Sequence, residues 1–488
     1  MNSDTSASFS GYSIGKLSDN SSLDLAELKL RLRSAPDAAL LKPLGIEAVA
    51  LGPNALDQLP ELAARFAASR GRGLIAVLRD SVAKRRGNID LMSAVEQRLE
   101  GVGEIRDAVL EGDELRVHAD RETISRATDL VAGASCVVTV GSGTVADIGK
   151  AVSAAHGGMP HIVVQTATSV NGFADDQSVL LVDGVKRTTP TRYPDALIAD
   201  TEILVGAPAP LNLAGVGDLL AMFTAPADWM LAAELGMADS YAPTAVAMVH
   251  AHGDAVLAAA PRLTAGDKSA ATLIAKALTL SGISMGIAGT TAPASGMEHT
   301  VSHLIEMAMN KRGLDAAFHG AQVGVSTIVS AVLWDKVQTH LRTEGHPRFL
   351  YPSADAMEQR VRAAFAELDP SGGMANECWR LYSRKLERWS ANRRHVAARD
   401  WSELTAKVAP LLSRPRDLVE SIDSAGAPTR FGRLDPAVEP DLVGWALENC
   451  HLMRDRFTVA DLAFFLGIWN KSHVDDLLAD AAALGGGL

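Results

Sequence analysis

The chain of 488 residues is 47% hydrophobic and 21% charged, a globular composition long enough for two domains, and it holds no charge-free apolar run of 18 residues, which disfavours a membrane span. Its 58 acidic side chains outnumber 46 basic ones for a net charge of −12, which disfavours nucleic acid as the main partner. Cys136, Cys378 and Cys450 stand far apart with no C-x-x-C spacing, so neither a disulfide framework nor a thiolate zinc site is indicated.

Residues 1–25, "MNSDTSASFSGYSIGKLSDNSSLDL", are rich in Ser, Asp and Asn and lack an apolar h-region. They read as a flexible arm rather than a signal peptide, and a cytoplasmic protein is expected. Residues 26–205 form the next segment. In it "IEAVALG", "GLIAVLRD", "CVVTVG" and "HIVVQ" are strand-like, and "ALDQLPELAARFAASRG", "SAVEQRLEGV" and "RETISRATDLVAGA" between them are helical. That alternation predicts a parallel sheet with helices on its faces, an α/β nucleotide-binding layout. "HIVVQ" gives way to a Thr- and Ser-rich loop and then to a hairpin-like pair turning at Asp183-Gly184. From residue 206 to 488 the pattern changes to long Ala- and Leu-rich stretches such as "LAGVGDLLAMFTAPADWMLAAELG" and "DKSAATLIAKALTLSGISMGIAG", with no strand-like alternation. This predicts an all-helical domain, closing in a frayed "ALGGGL".

Four motifs carry candidate chemistry. In "CVVTVGSGTVADIGKAV" a buried strand ends at Gly141-Ser142-Gly143 and a helix follows at once, so glycines and leading helix N–H groups could cradle a phosphate, or simply make a tight turn. The hydroxyls of "TATSVNGFA" could bond a nicotinamide amide or ribose, or their own backbone. Asp218 in "AGVGDLLA" is placed at a helix start, where it could cap that helix or bind a cation. His299 and His303 share one helical face at i, i+4, and His319 heads the next apolar helix; with a carboxylate they make a plausible divalent-metal set. His250, His252, His346 and His395 read as ordinary polar positions. "KRR" at 84–86 reads as a solvated helix start or as a seat for a 2′-phosphate.

The ordered blocks "GSGTVADIGK", "TATSVNGFA", "DGVKRT", "AGVGDLLA", "SGMEHTVSH", "HGAQVGVST" and "MRDRFTVADL", within residues 45–470, resemble the iron-containing alcohol dehydrogenase and dehydroquinate synthase superfamily, and within it the glycerol-1-phosphate dehydrogenase branch. The resemblance implies a Rossmann-like α/β dinucleotide-binding domain followed by an all-α helical-bundle domain, the dehydroquinate synthase-like fold. It implies that Gly141, Ser142, Gly143, Thr144 and Val145 form the pyrophosphate turn, that Asp80 lies near the adenosine ribose, and that Thr166, Ala167, Thr168 and Ser169 line the nicotinamide. Asp218, His299 and His319 would hold one divalent metal, zinc first, with iron or nickel as alternatives, while His303 faces the substrate and Lys186 touches an anionic group of it. Two positions depart from the family pattern. Asn171 replaces an aspartate that contacts substrate, which removes a negative charge and counts against glycerol 1-phosphate itself, and Asp175 replaces a serine that meets the cofactor.

The expected activity is hydride transfer between NAD or NADP and the carbonyl or alcohol carbon of a small polar substrate, phosphorylated or phosphonylated, by a homo-oligomer with no nucleic-acid or membrane partner. Two alternatives stand beside it. One is a carbocycle-forming phosphate lyase of the dehydroquinate synthase kind, using the same NAD and metal; the other is a degenerate nucleotide-binding protein without activity.

Overall fold

The computed structural model describes the chain from residue 23 onward, apart from residues 72, 113–116 and 183–184, so the first 22 residues of the expected arm and the expected Asp183-Gly184 turn lie outside the described residues. Two compact units emerge. One runs through Leu219 and takes in Asp254–Thr290; the other comprises Leu220–Gly253 and Thr291–Leu488.

The first unit holds the strands β1 (Ala48–Gly52), β2 (Leu74–Asp80), the short β3 (Arg85–Arg86) and β4 (Ile89–Asp90), β5 (Glu104–Leu110), β6 (Cys136–Gly141), β7 (His161–Gln165), β8 (Gln177–Val182), β9 (Val185–Pro190) and β10 (Ala196–Asp200). Six of them build one sheet in the order β1-β10-β7-β6-β2-β5, every neighbouring pair parallel. Side chains alternate across it. Ile75 and Val77 enter one core with Leu59, Leu62 and Phe66, while Ala76 and Leu78 enter the opposite core with Ile148 and Val152. Burial on both faces is why the central strands read as unbroken apolar runs.

From β2 the chain steps outward to β5, then returns to the other side of β2 to lay down β6, β7 and β10. Open α/β sheets bind ligands at such a reversal, beyond the carboxyl ends of the strands. Asp80 closes β2 and the glycine turn follows β6, so two segments singled out from the sequence flank it.

The "KRR" stretch departs from its expected helix start. Arg85 and Arg86 form β3, paired antiparallel with β4 through a turn at Gly87 with φ of 58°, and the next helix begins only at Leu91. Its cap is Asp90, whose carboxylate accepts the Ser93 N–H at 2.9 Å. Arg86 is drawn into the strand by Asp200 (3.2 Å) and Asn54 (2.8 Å). This unit also contains the helix Lys268–Ala288, among the described residues the one helix long and apolar enough to cross a membrane; 94% of that window is buried within the protein, as befits a core helix.

The second unit is helical, with no strand of its own among the described residues. Its longest helix is His319–Glu344, and Trp389 stacks on Phe457 and Phe465 in its core. The last residues are held rather than frayed: Gly487 donates to Thr429 O at 3.0 Å and its carbonyl accepts the Phe431 N–H at 2.7 Å. Three glycines offer backbone bonds without side-chain bulk, and an apolarity count misses those bonds.

Candidate functional site

β6 runs into the helix Gly143–Ala155 with only Ser142 between them, and no side chain caps that helix. Its leading N–H groups therefore point out of the positive end of the helix dipole. The turn is packed to the limit of glycine. A Cβ on Gly141 would lie 2.5 Å from Val145, and one on Gly143 2.6 Å from Val170. Gly149 performs the same service along the helix, where a Cβ would come 2.6 Å from His161 Nε2. His161 itself is fully buried at 2.9 Å from the Thr139 hydroxyl, and burial pushes its pKa down to about 3.

The hydroxyl loop begins where the Thr166 N–H donates to Gly141 O at 3.1 Å and Gln165 Nε2 donates to Ala167 O at 2.9 Å. Thr168 gives both its N–H and its hydroxyl to Asn212 Oδ1, at 2.8 and 3.0 Å, and Asn212 Nδ2 donates to Leu204 O at 2.8 Å. Asn212, on the helix Ala209–Leu219, thus ties the loop to that helix. Sequence reading overlooked it because a lone Asn carries no motif. The Ser169 hydroxyl is buried and meets no protein partner among the described residues, an orphan that a bound ligand would satisfy.

Asp218 lies at the C-terminal end of the helix Ala209–Leu219, not at its start, so it is no N-cap. Gly215 and Gly217, which precede it, are helical and do not break the helix, and Gly215 allows the close approach to the Thr168 backbone. Asp218 is buried and its Oδ2 accepts the Asn171 N–H at 2.8 Å, while Asn171 Nδ2 donates to Ser281 at 3.2 Å.

Asp175 is engaged by Lys150, whose buried Nζ lies 2.6 Å from it, 2.9 Å from Asp147 and 2.7 Å from Gly172 O. Burial outweighs that attraction and raises Asp175 to about 7. Burial raises Asp147 above its ordinary value despite the opposing charge of Lys150 and, more weakly, of Lys186 on β9. At the end of β2, Asp80 accepts the Val82 N–H at 2.9 Å and pairs with Lys84, while Arg79 forks onto Asp107 at 2.8 and 2.6 Å. Arg79, Lys84 and Arg86 are therefore each committed to a carboxylate.

In the helical unit three imidazoles converge. His299 and His303 lie on the helix Met297–Lys311, and His319 opens the next helix. Ring centroids are 5.3 Å apart for His299 and His319, 5.2 Å for His303 and His319, and 6.3 Å for His299 and His303. Each ring has a different neighbour at Nδ1. For His299 it is Glu298 Oε1 at 3.0 Å, a carboxylate that also accepts the Gly296 N–H (2.5 Å) and the Thr224 hydroxyl (2.9 Å). Burial works to raise Glu298, yet the His299 hydrogen bond and charge prevail and hold it below its ordinary value. For His319 it is Ser302 Oγ at 3.1 Å and Glu306 Oε1 at 3.4 Å. For His303 it is an Arg454 guanidinium N at 2.6 Å. Burial, with Arg456 beside it, lowers Arg454 to about 10, which still leaves it charged at neutral pH.

The start of the histidine helix is fixed by Asp228. Its Oδ2 accepts the Met297 N–H at 2.9 Å and its Oδ1 the Val459 N–H at 2.9 Å, so one buried carboxylate satisfies the first N–H of two helices, the second of which also has a capping box from Thr458 and Asp461. Gly296 is needed at that junction, since a Cβ would come 2.6 Å from Asp228 Oδ2. Neither Asp228 nor Arg454 was given a role from the sequence. "MRDRFTVADL" marked Arg454 only as part of a family block.

Known proteins now bear on this geometry. Residues 50–208 match the profile of the iron-containing alcohol dehydrogenase family. The chain is 30% identical over 417 residues to a glycerol-1-phosphate dehydrogenase (NAD(P)+) of Bacillus licheniformis, covering 85% of this chain and 88% of that one. It is 36% identical over 218 residues to the enzyme of the same name from Methanothrix thermoacetophila, covering 44% and 60%. Its fold is similar to that of a probable glycerol dehydrogenase from Sinorhizobium meliloti 1021, with a TM-score of 0.56, 18% identity and coverage of 90% and 97%. With a relative at this identity matched over most of both chains, a glycine turn at the sheet reversal and a three-histidine cluster, the chain belongs to the iron-containing alcohol dehydrogenase family.

Proposed function

We propose that the protein is a metal-dependent, NAD(P)-linked oxidoreductase that interconverts a carbonyl and an alcohol on a small polar, phosphorylated or phosphonylated substrate. The observation that carries this reading is the histidine cluster: His299 and His319, 5.3 Å between rings, are each backed at Nδ1 by a carboxylate. Carboxylate-supported imidazoles are the usual dress of metal ligands. Asp218, a buried carboxylate, would be the third ligand, giving an N, N, O donor set suited to zinc or iron.

The sheet-bearing unit fits a dinucleotide. Gly141, Ser142, Gly143, Thr144 and Val145 would take the pyrophosphate on uncapped N–H groups, and Asp80 at the end of β2 would meet the adenosine ribose. Thr166, Ala167, Thr168 and the orphan hydroxyl of Ser169 would line the nicotinamide. When bound, the nicotinamide would supply or accept the hydride and the cation would polarise the reacting oxygen, the latter worth several kcal/mol. His303 would face the substrate and hold a proton for that oxygen; Asn171 would contribute hydrogen bonds without a charge, and Lys186 an anion contact.

The test is NADH and NADPH oxidation against a panel of phosphorylated and phosphonylated aldehydes and ketones, including the ketone related to glycerol 1-phosphate, after reloading with zinc, iron or nickel. Turnover of one of them supports the proposal. Failure with all of them, alongside phosphate release and ring closure on a sugar phosphate, would assign the lyase instead; tight nucleotide binding with no metal uptake and no turnover would mark a degenerate member.

A further inference from the structure

The three imidazoles lie in one cluster, yet their Nδ1 neighbours differ in kind. An arginine can only donate, so the 2.6 Å contact from Arg454 requires that His303 Nδ1 be an acceptor. In the neutral ring the proton is then on Nε2. A carboxylate can only accept, so the 3.0 Å contact to Glu298 requires His299 Nδ1 to carry the proton and puts the lone pair on Nε2. For His319 the chain of donors is longer. The Ala317 carbonyl accepts from Gln322 at 2.9 Å, which fixes that atom as Nε2 and leaves Oε1 to accept. Gln322 Oε1 lies 3.5 Å from Ser302 Oγ, so the hydroxyl is oriented to give its proton there and to accept from His319 Nδ1 at 3.1 Å. The Glu306 carboxylate, 3.4 Å from the same nitrogen, favours the same tautomer.

We infer that Arg454, Glu306 and Glu298 are positioning residues that sort the histidines: His299 and His319 present an Nε2 lone pair to a cation, and His303 presents an Nε2–H donor. Metal binding needs a lone pair and oxyanion recognition needs a donor. The inference rests on the metal-dependent reading and deepens it, because it says why His303 does not join the ligands although His303, Glu306 and His319 also come within 4.8 Å of one another through potential ligand atoms. Glu306 is on this account a support for His319 and not itself a ligand.

The experiment is nitrogen-15 NMR of the imidazoles in metal-free and zinc-loaded full-length protein, with the three rings identified from His299→Gln, His303→Gln and His319→Gln spectra. It is paired with zinc affinity measured by chelator competition on Glu306→Ala and Arg454→Met. Expected are Nδ1–H tautomers for His299 and His319 and an Nε2–H tautomer for His303. Glu306→Ala should weaken zinc about 10–100-fold. Arg454→Met should leave the affinity within about twofold, since the side chain backs no ligand, while the His303 signal becomes a tautomer mixture. An Nδ1–H tautomer at His303, or unchanged zinc affinity in Glu306→Ala, would overturn the assignment. Should either variant fail to fold, the wild-type spectrum still decides. Wild-type protein that takes up no zinc would remove the metal reading, whereas the metal-free tautomers would still sustain or overturn the sorting by Arg454 and the glutamates.

Discussion

Gly215→Ala tests whether the hydroxyl loop is held against the helix Ala209–Leu219 by backbone-to-backbone packing. In an unobstructed helix this change stabilises by about 1 kcal/mol. Here the new methyl would overlap the Thr168 carbonyl oxygen and stand 2.6 Å from its carbon, with Leu278 at 3.0 Å on its other flank. The obstacle is main chain, so relief requires the loop to move. Overpacking costs about 1–3 kcal/mol where side chains can yield, and the upper end applies against backbone. Displacing Thr168 also stretches its two hydrogen bonds to Asn212, each worth about 0.5–1.5 kcal/mol. Set against the propensity gain, the net expectation is a loss of about 2–4 kcal/mol. All seven tryptophans lie in the helical unit, so far-UV circular dichroism in urea is the right probe, and NADH affinity should be measured beside it. A variant as stable as wild type, with unchanged NADH affinity, would refute the reasoning.

Further outcomes follow from the same geometry. His299→Ala should abolish metal retention, whereas His303→Ala should keep the ion and depress turnover; equal metal loss in both, read by elemental analysis, would contradict the division of roles. His161 has a folded pKa of about 3 against 6.5 when unfolded, so its contribution to stability is complete above pH 6.5 and is lost as pH falls toward 3. Between pH 7 and 5 that amounts to about 2 kcal/mol. The stability-versus-pH slope over that interval should flatten in His161→Gln, and an identical slope in both proteins would dismiss the buried neutral ring as its cause. Asp228→Ala should cost about 2–4 kcal/mol by leaving the buried Met297 and Val459 N–H groups without an acceptor and should loosen zinc, as chelator competition would show; an unaffected melting temperature would count against the shared carboxylate.

Much of the fold was legible because burial imposes period and length. The central strands β2, β6 and β7 show as short apolar runs, and the long helices of the second unit show as Ala- and Leu-rich stretches. β5 stayed hidden because, at the sheet edge, it carries Glu104, Arg106 and Asp107 on a largely exposed surface. β10 stayed hidden because its five residues are followed directly by a helix capped by Asp200. The histidine pair was legible from its i, i+4 spacing, and His319 from its place at the head of a helix. Arg454 was not, because its partner His303 is 151 residues away and nothing local to "MRDRF" records that pairing. Asp218 was misplaced on its helix because two glycines suggested a break in the chain, when both are helical and the smallness of Gly215 serves contact with the Thr168 backbone.

The most direct test of the account is the crystal structure of the zinc-loaded protein with diffraction recorded across the zinc edge. It should show one anomalous peak about 2.0–2.2 Å from Nε2 of His299, Nε2 of His319 and a carboxylate oxygen of Asp218, with His303 outside bonding distance. A peak bonded to His303 and Glu306, or no peak at any of these histidines in fully loaded crystals, would contradict it.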